Sequence, residues 1–537
     1  MHGLMSDFPL TLPHVFGRAE RLFAGKRVAT VTRQGTEAIS YGEWADRTRR
    51  LGGAFDSLGL GPEARVGTFA WNTARHLELY FAAPCSGRVL HTLNIRLFPE
   101  QLTYVVEHAA DEAIFIDRSL LPAFWPLAEQ MKGVEHFVVM DDGGDEEIPD
   151  DPRIRDYEEL IAAAEPINFD VSDENRAAAM CYTSGTTGHP KGVLYSHRSN
   201  VLHALGVMAA DTLGVSEADV VLPVVPMFHA NAWGLAHASV MSGAALAMPG
   251  PDLTPAAIAS LIESERVTLA AGVPTIWMGV LPELDDRDVS SLTRVVCGGS
   301  AVPKALSEAY REKIGMPILQ AWGMTEMSPV GSVCRIRTEL RELPDAELAD
   351  IRSSIGLIAP LVECRIVEPE TGEEMPWDGE ARGELQVTGP WIAASYYNDD
   401  RAGESFADDG WLRTGDVATI DRHGYIRLVD RTKDLIKSGG EWISSVELEN
   451  EIMAHPKVRE SAVIGVPDEQ WGERPLACVV AEEGEEVTAE EVCEFLEGRV
   501  AKWWIPESFE FIEEVPKTSV GKFSKKDLRD RFTAKAS

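Results

Sequence analysis

The segment from Tyr182 to Gly192, Tyr-Thr-Ser-Gly-Thr-Thr-Gly-His-Pro-Lys-Gly, constrains this chain more than any other. Its glycines let the backbone bend tightly and come close to a ligand, and its hydroxyls add donors for anionic oxygens. Backbone amides in such a loop form an anion nest, and Lys191 supplies a compact positive charge. The chemistry points to phosphate. It is not a Walker A loop, because Pro190 stands where that pattern needs its second glycine. Gly/Ser/Thr-rich turns are also common as plain surface turns, so the segment alone leaves both readings open. Residues 177–183 read as a strand running into it. Residues 199–213 show helical periodicity, so the loop joins a strand to later structure much as phosphate loops do.

At 537 residues the chain implies two or more domains, and a 45% hydrophobic content supplies a sizeable core. A formal charge of −36 disfavours nucleic acid and anionic membranes as partners, and obliges any phosphate site to build local positive charge. No apolar run approaches the roughly 20 residues of a membrane span. The opening MHGLMSDFPLTLPHVF lacks the basic head of a secretory signal, and the closing Lys-Ala-Ser is no peroxisomal address. A cytoplasmic protein is expected. Seven cysteines lie far apart with no CxxC pair, which argues for reduced, mostly buried thiols rather than disulfides or zinc.

Short apolar strands alternate with helical patterns through residues 1–175 and again through 220–297, which predicts a layered α/β fold. Residues 141–151 are acidic and read as an exposed loop. Residues 351–389 change texture to short strands with Gly turns, suggesting a β subdomain. From about residue 434 a compact β-α-β order follows, of domain size by itself. The expected boundary divides a large domain, 1–432, from a small α+β domain, 433–537.

Further motifs carry chemistry. Residues 320–326, Gln-Ala-Trp-Gly-Met-Thr-Glu, follow a strand-like 316–319 and offer an aromatic face for a base and a carboxylate able to hold Mg²⁺. Residues 411–416, Trp-Leu-Arg-Thr-Gly-Asp, place a carboxylate beside a turn, suited to a ribose diol. Residues 430–441 add cations and a Gly pair, and residues 516–522, Pro-Lys-Thr-Ser-Val-Gly-Lys, present a lysine on an exposed loop. Each has a plainer reading: Glu326 and Asp416 as caps, His229 and Trp233 as interior residues, Lys522 as surface.

In this order and spacing the motifs resemble the adenylate-forming superfamily of acyl-CoA synthetases, carrier-protein adenylation domains and firefly-type luciferases. The resemblance covers nearly the whole chain. It is strongest to the bacterial and archaeal medium- and long-chain fatty acyl-CoA synthetases, whose gate motif matches residues 225–233 and whose linker motif matches residues 430–435.

That resemblance implies a two-step reaction. A carboxylate attacks the α-phosphate of Mg·ATP to give acyl-adenylate and pyrophosphate, and the thiol of CoA then takes the acyl group and releases AMP. It implies that Thr183, Ser184, Gly185, Thr186, Thr187, Gly188 and Lys191 hold the β- and γ-phosphates, with Thr183 and Glu326 near Mg²⁺. Gly299, Ser300, Ala301, Gln320, Ala321, Trp322, Gly323, Met324 and Thr325 would line the nucleotide, Trp322 stacking on adenine. Asp416 and Arg431 would hold ribose, with Lys437 and Trp442 also at the nucleotide. His229 and Trp233 would control entry of the acid, Lys433 would be the hinge of a mobile C-terminal domain, and Ser438, Gly439 and Gly440 would line the CoA channel. Lys522 would bridge carboxylate and α-phosphate. Trp322 stands where many relatives carry Tyr, and Lys433 where many carry Asp. The resemblance also implies a homodimer. Three rival readings are a ligase for short or sulfur-containing acids such as 3-methylthiopropionate, a loader of carrier proteins, and a nucleotide-binding module without activity.

Lys522→Ala is expected to cripple acyl-adenylate formation while sparing thioester formation from supplied adenylate. Separate assays of the two half-reactions check this, and equal loss of both would rule out the assigned role.

Overall fold

The computed structural model describes every residue except 184–188, 301, 370, 400–402, 404, 440, 469, 518–522 and 533–537. Of the expected site residues, Ser184, Gly185, Thr186, Thr187, Gly188, Ala301, Gly440 and Lys522 lie outside the described residues. The chain divides into two compact units, residues 1–183, 190–363 and 388–406 in one, and residues 189, 364–387 and 407–532 in the other, counting described residues.

Strands apolar on both faces set the frame of the first unit. In Asp111–Asp117 the run Ala113-Ile114-Phe115-Ile116 is wholly buried. Successive strand side chains point to opposite faces, so Ala113 and Phe115 enter one core while Ile114 and Ile116 enter another. This strand lies in a seven-stranded sheet ordered Ile154–Asp156, His136–Met140, Asp111–Asp117, Arg65–Phe69, Val89–Thr92, Ala177–Tyr182, Gly192–Ser196. All pairs are parallel except the last.

A nine-stranded sheet runs Leu357–Ile358, Val330–Val333, Leu319–Gly323, Arg294–Cys297, Leu269–Gly272, Val220–Pro223, Ala245–Met248, Arg27–Thr32, Gly35–Ser40. It is parallel in the middle and antiparallel at both edges. Helices Leu12–Leu22, Tyr41–Ser57, Ala74–Cys85, His197–Met208 and Leu235–Ser242 share one core with inner faces of both sheets. Helix Pro99–Ala109 covers the far face of the first sheet, and Pro255–Ser264 and Lys304–Ile314 that of the second. The result is a layered α/β arrangement, as parallel sheets require.

One charged cluster is built into these layers. Glu78, buried on Ala74–Cys85, accepts from Arg47 at 2.6 Å and from the Tyr157 hydroxyl at 2.5 Å. Arg47 also pairs with Glu158 at 2.8 Å. Burial pushes the Glu78 carboxyl up, and Arg47 opposes that rise.

The second unit holds two sheets. Strands Glu363–Val367, Gly383–Thr388, Leu412–Ile420 and Ile426–Arg431 lie side by side in the first. In the other, Glu441–Ile443, Ile436–Ser438, Gly472–Ala481 and Val458–Asp468 pair antiparallel, and Ser508–Phe511 joins Gly472–Ala481 in parallel. Helices Ser445–Met453 and Ala489–Leu496 pack on one face and Lys525–Phe532 on the other. The α+β expectation holds. Trp504 packs in this core, while Trp503 is 40% exposed.

Besides the strand expected at 316–319, three expectations need correction. The loop after residue 183 returns as a strand, Gly192–Ser196, before the helix His197–Met208 begins, so it spans a hairpin rather than a strand-to-helix turn. The β subdomain starts later than residue 351: Asp345–Arg352 is helical, and Leu357–Ile358 is the edge of the nine-stranded sheet. Asp142, expected in an exposed loop, is buried because its carboxylate accepts from the backbone of Ser119 and Gly144.

Removing one partner of a buried ion pair strands the other charge. Arg47→Met is therefore expected to lower stability by about 3–5 kcal/mol, read from chemical denaturation, with Glu78→Gln added to it recovering part of the loss.

Candidate active site

The hairpin closes the base of the expected phosphate loop. Tyr182 lies opposite Gly192. The Thr183 amide donates to the Lys191 carbonyl at 2.9 Å, and the Lys191 amide to Thr183 Oγ1 at 3.1 Å. Both ends of the loop are thus held at one place. The Lys191 ammonium donates to Ser405 Oγ at 3.2 Å and lies 4.5 Å above the centre of the Tyr396 ring.

Glu326 sits in a short turn, Thr325–Met327, beyond the strand Leu319–Gly323. The expected strand at 316–319 is displaced: Gln320, Ala321, Trp322 and Gly323 are themselves the strand, paired in parallel with Arg294–Cys297. Three contacts pin the turn. Tyr195, on the returning strand of the hairpin, donates to the Thr325 carbonyl at 2.7 Å. The Ala393 amide donates to the Glu326 carbonyl at 2.7 Å. The Tyr396 hydroxyl donates to Glu326 Oε1 at 2.6 Å. Glu326 is buried, and burial with the adjacent Glu326 carboxylate pushes the Tyr396 phenol well above its ordinary range, so it stays a proton donor. Lys191 and Glu326 are brought together through Tyr396, a residue that sequence reasoning did not single out. Its signal, a Tyr-Tyr pair after Gly389-Pro390, is visible only in retrospect.

The gate motif has an unusual backbone. Ala230, Asn231, Ala232, Trp233 and Gly234 all take left-handed conformations, with φ of 43°, 51°, 49°, 57° and 75°. Such a residue costs roughly 1–2 kcal/mol where it is not glycine, so the surroundings must impose the turn. Tyr80 donates to the Met227 carbonyl and, at 3.3 Å, to Asn231 Oδ1. Behind Gly234 the His203 ring fills the place of a side chain: a Cβ there would lie 2.4 Å from it. His203 in turn accepts from the Val330 amide at 3.0 Å, and burial drops its pKa to about 3, keeping it neutral. The Trp233 indole, 8% exposed, lies over Gly298 at the end of Arg294–Cys297, 3.2 Å from where a Cβ would stand. A Cβ at Gly298 would also come within 2.5 Å of the Ala321 carbonyl. His229 is half-buried at the start of the turn, and Gly299 and Ser300 are exposed. Trp322 is half-buried, with its ring against Gly331.

In the second unit Asp416 and Arg431 are register partners on adjacent strands, and their side chains pair at 2.8 Å. Asp416 is buried and Arg431 is 46% exposed. Lys437 and Trp442 also face each other across two strands, the ammonium 4.9 Å above the indole. Ser438 is buried, and Gly439, at φ 62°, donates to the Trp471 carbonyl at 2.7 Å. At the expected hinge, burial pushes the Lys433 ammonium below its ordinary range. Its carbonyl accepts from Arg529 at 3.1 Å, and Arg529 also pairs with Asp434.

Hard oxygen donors at Glu326 and Thr183 suit Mg²⁺, which binds through one or two carboxylates plus substrate phosphates rather than an all-protein cage. Among the described residues no group of three or more His, Cys, Asp or Glu side chains forms such a cage. No helix among them is long and apolar enough to cross a membrane.

The chain belongs to the AMP-binding enzyme family, matched over residues 18–397, with the AMP-binding enzyme C-terminal domain matched over 447–522. It is 45% identical to a 3-methylmercaptopropionyl-CoA ligase from Ruegeria lacuscaerulensis, covering 99% of both chains. It is 44% identical to a long-chain-fatty-acid–CoA ligase from Thermus thermophilus, over 98% of this chain and 96% of that one. Its fold matches ATP-bound MatB from Rhodopseudomonas palustris with a TM-score of 0.83 at 26% identity, over 98% of this chain and all of the other.

Gly234→Ala drives a methyl into the His203 ring at a left-handed position. It is expected to cost about 2 kcal/mol or more in stability, measured by denaturant titration, with His203→Ala added to it restoring part of the loss.

Proposed function

We propose that this AMP-forming acid–CoA ligase activates a medium- or long-chain fatty acid, with ATP and then CoA as co-substrates. The likeness to a long-chain-fatty-acid–CoA ligase over nearly the whole of both chains carries the reading. A second reading, a ligase for 3-methylthiopropionate, is favoured by the 45% identity to a 3-methylmercaptopropionyl-CoA ligase.

In either case the first step brings two anions together, so cations must meet the charge growing on phosphate oxygens. Lys191 and the loop 183–188 hold the β- and γ-phosphates in this mechanism. Thr183 and Glu326 would hold Mg²⁺, which would neutralise phosphate charge when bound. Trp322 supplies a face for adenine, Asp416 and Arg431 take the ribose, and Lys437 and Trp442 attend the nucleotide. The role proposed for Lys522 is to bridge carboxylate and α-phosphate in the first step. The small domain then turns about Lys433, bringing Ser438–Gly440 to the thiol. Trp233, seated over Gly298, closes the way in for the acid until it swings aside, with His229 beside it. The protein acts in the cytoplasm as a homodimer.

A panel of acids from two to eighteen carbons, with 3-methylthiopropionate included, tests the reading by pyrophosphate release and CoA-dependent thioester formation. A methylene is worth about 1–3 kcal/mol in an apolar site, so neighbouring lengths should differ several-fold in kcat/KM. A maximum at eight or more carbons is expected. A maximum at 3-methylthiopropionate or four carbons would favour the second reading, and no thioester with any acid would sink both.

A further inference from the structure

Lys191 and Glu326 carry opposite charges toward one substrate, yet each is held by Tyr396. The ring supports the ammonium at 4.5 Å, and the hydroxyl donates to the carboxylate at 2.6 Å. Tyr396 does not need those two contacts to keep its place. The segment that carries it is fastened by the backbone: Ala393 N to the Glu326 carbonyl, and Tyr397 N to the Gly192 carbonyl at 2.8 Å. Trp391 donates to the Val330 carbonyl at 3.1 Å, and its own carbonyl accepts from Ser328 at 2.9 Å. The segment therefore ties the strand that begins at Gly192 to the turn that carries Glu326.

A phenol bound to one carboxylate oxygen restrains the position of that oxygen, and a ring face holds an ammonium without cancelling its charge. An ion pair between the two residues would instead compensate both charges before substrate arrived. We propose that Tyr396 is a positioning residue for the nucleoside triphosphate, presetting the Lys191 cation for phosphate and the Glu326 carboxylate for the magnesium that accompanies it. This rests on the roles given to Lys191 and Glu326 under the proposed function. Preset charges of this kind reduce the reorganisation required when the triphosphate binds.

Isothermal titration of ATP onto the full-length protein, without acid and with or without Mg²⁺, tests the proposal on Tyr396→Phe, Tyr396→Leu and Glu326→Gln. Tyr396→Phe keeps the ring and loses the hydroxyl. It should leave the Mg²⁺-free affinity within about twofold and cut the Mg²⁺-dependent tightening about tenfold, the size of a charge-assisted hydrogen bond. Tyr396→Leu should weaken the Mg²⁺-free affinity as well, by several-fold. In turnover both variants should raise KM for ATP more than KM for the acid. A Tyr396→Phe protein that matches wild type under both conditions, or that loses affinity equally in both, would overturn the inference. If Glu326→Gln abolishes the Mg²⁺ effect while Tyr396→Phe does not alter it, the inference alone fails. If Glu326→Gln itself keeps the full effect, the role given to Glu326 fails and the inference falls with it.

Discussion

The two hydrogen bonds between Thr183 and Lys191 are the knot on which the candidate site depends. A strand in a parallel sheet delivers only one end of a loop to a fixed place. Here the last strand of the seven-stranded sheet turns back antiparallel, so both ends are fixed at once. The returning strand then serves as an anchor. Its Tyr195 holds the turn that bears Glu326, and its Gly192 takes the amide of Tyr397. Three segments far apart in sequence converge on one closure, made of a backbone bond and a backbone-to-hydroxyl bond.

The electrostatics follow the same economy. A chain of formal charge −36 repels a nucleotide as a whole. Among the described residues Lys191 rests on a ring and a hydroxyl, both neutral, so its positive charge is not spent on a carboxylate. Arg431 behaves differently, paired in register with Asp416. There the partners compensate each other, and the buried carboxylate is orientated by its neighbour while the guanidinium remains half-exposed.

Much of this was legible in the sequence. The apolar strand runs, the α/β alternation and the small α+β unit all follow from patterning, because parallel strands buried on both faces leave long apolar stretches. The sequence also singles out the motif residues by type, since loop, aromatic and carboxylate residues announce the chemistry proposed for them. What was hidden depends on distance or on handedness. Gly192–Ser196 is five residues with a half-exposed middle, too short to separate from the loop before it. Tyr396 is ordinary in sequence and acquires meaning only where the fold sets it between Lys191 and Glu326. The buried state of Asp142 follows from two backbone amides that come to it, which acidic composition does not show.

The left-handed turn at Ala230–Gly234 also limits how the proposed entrance for the acid can be altered. Side chains on a left-handed turn advance in the opposite sense to those on an ordinary helix, and β-branched residues resist that backbone. Positions 230 to 233 are therefore poor places for sequence variation, whatever the acid. The freedom lies one layer behind, at His203 and Val207, whose side chains lie against Gly234. A family altering the proposed entrance would vary that backing and keep the turn, so a change at the gate would be written in residues one layer behind it.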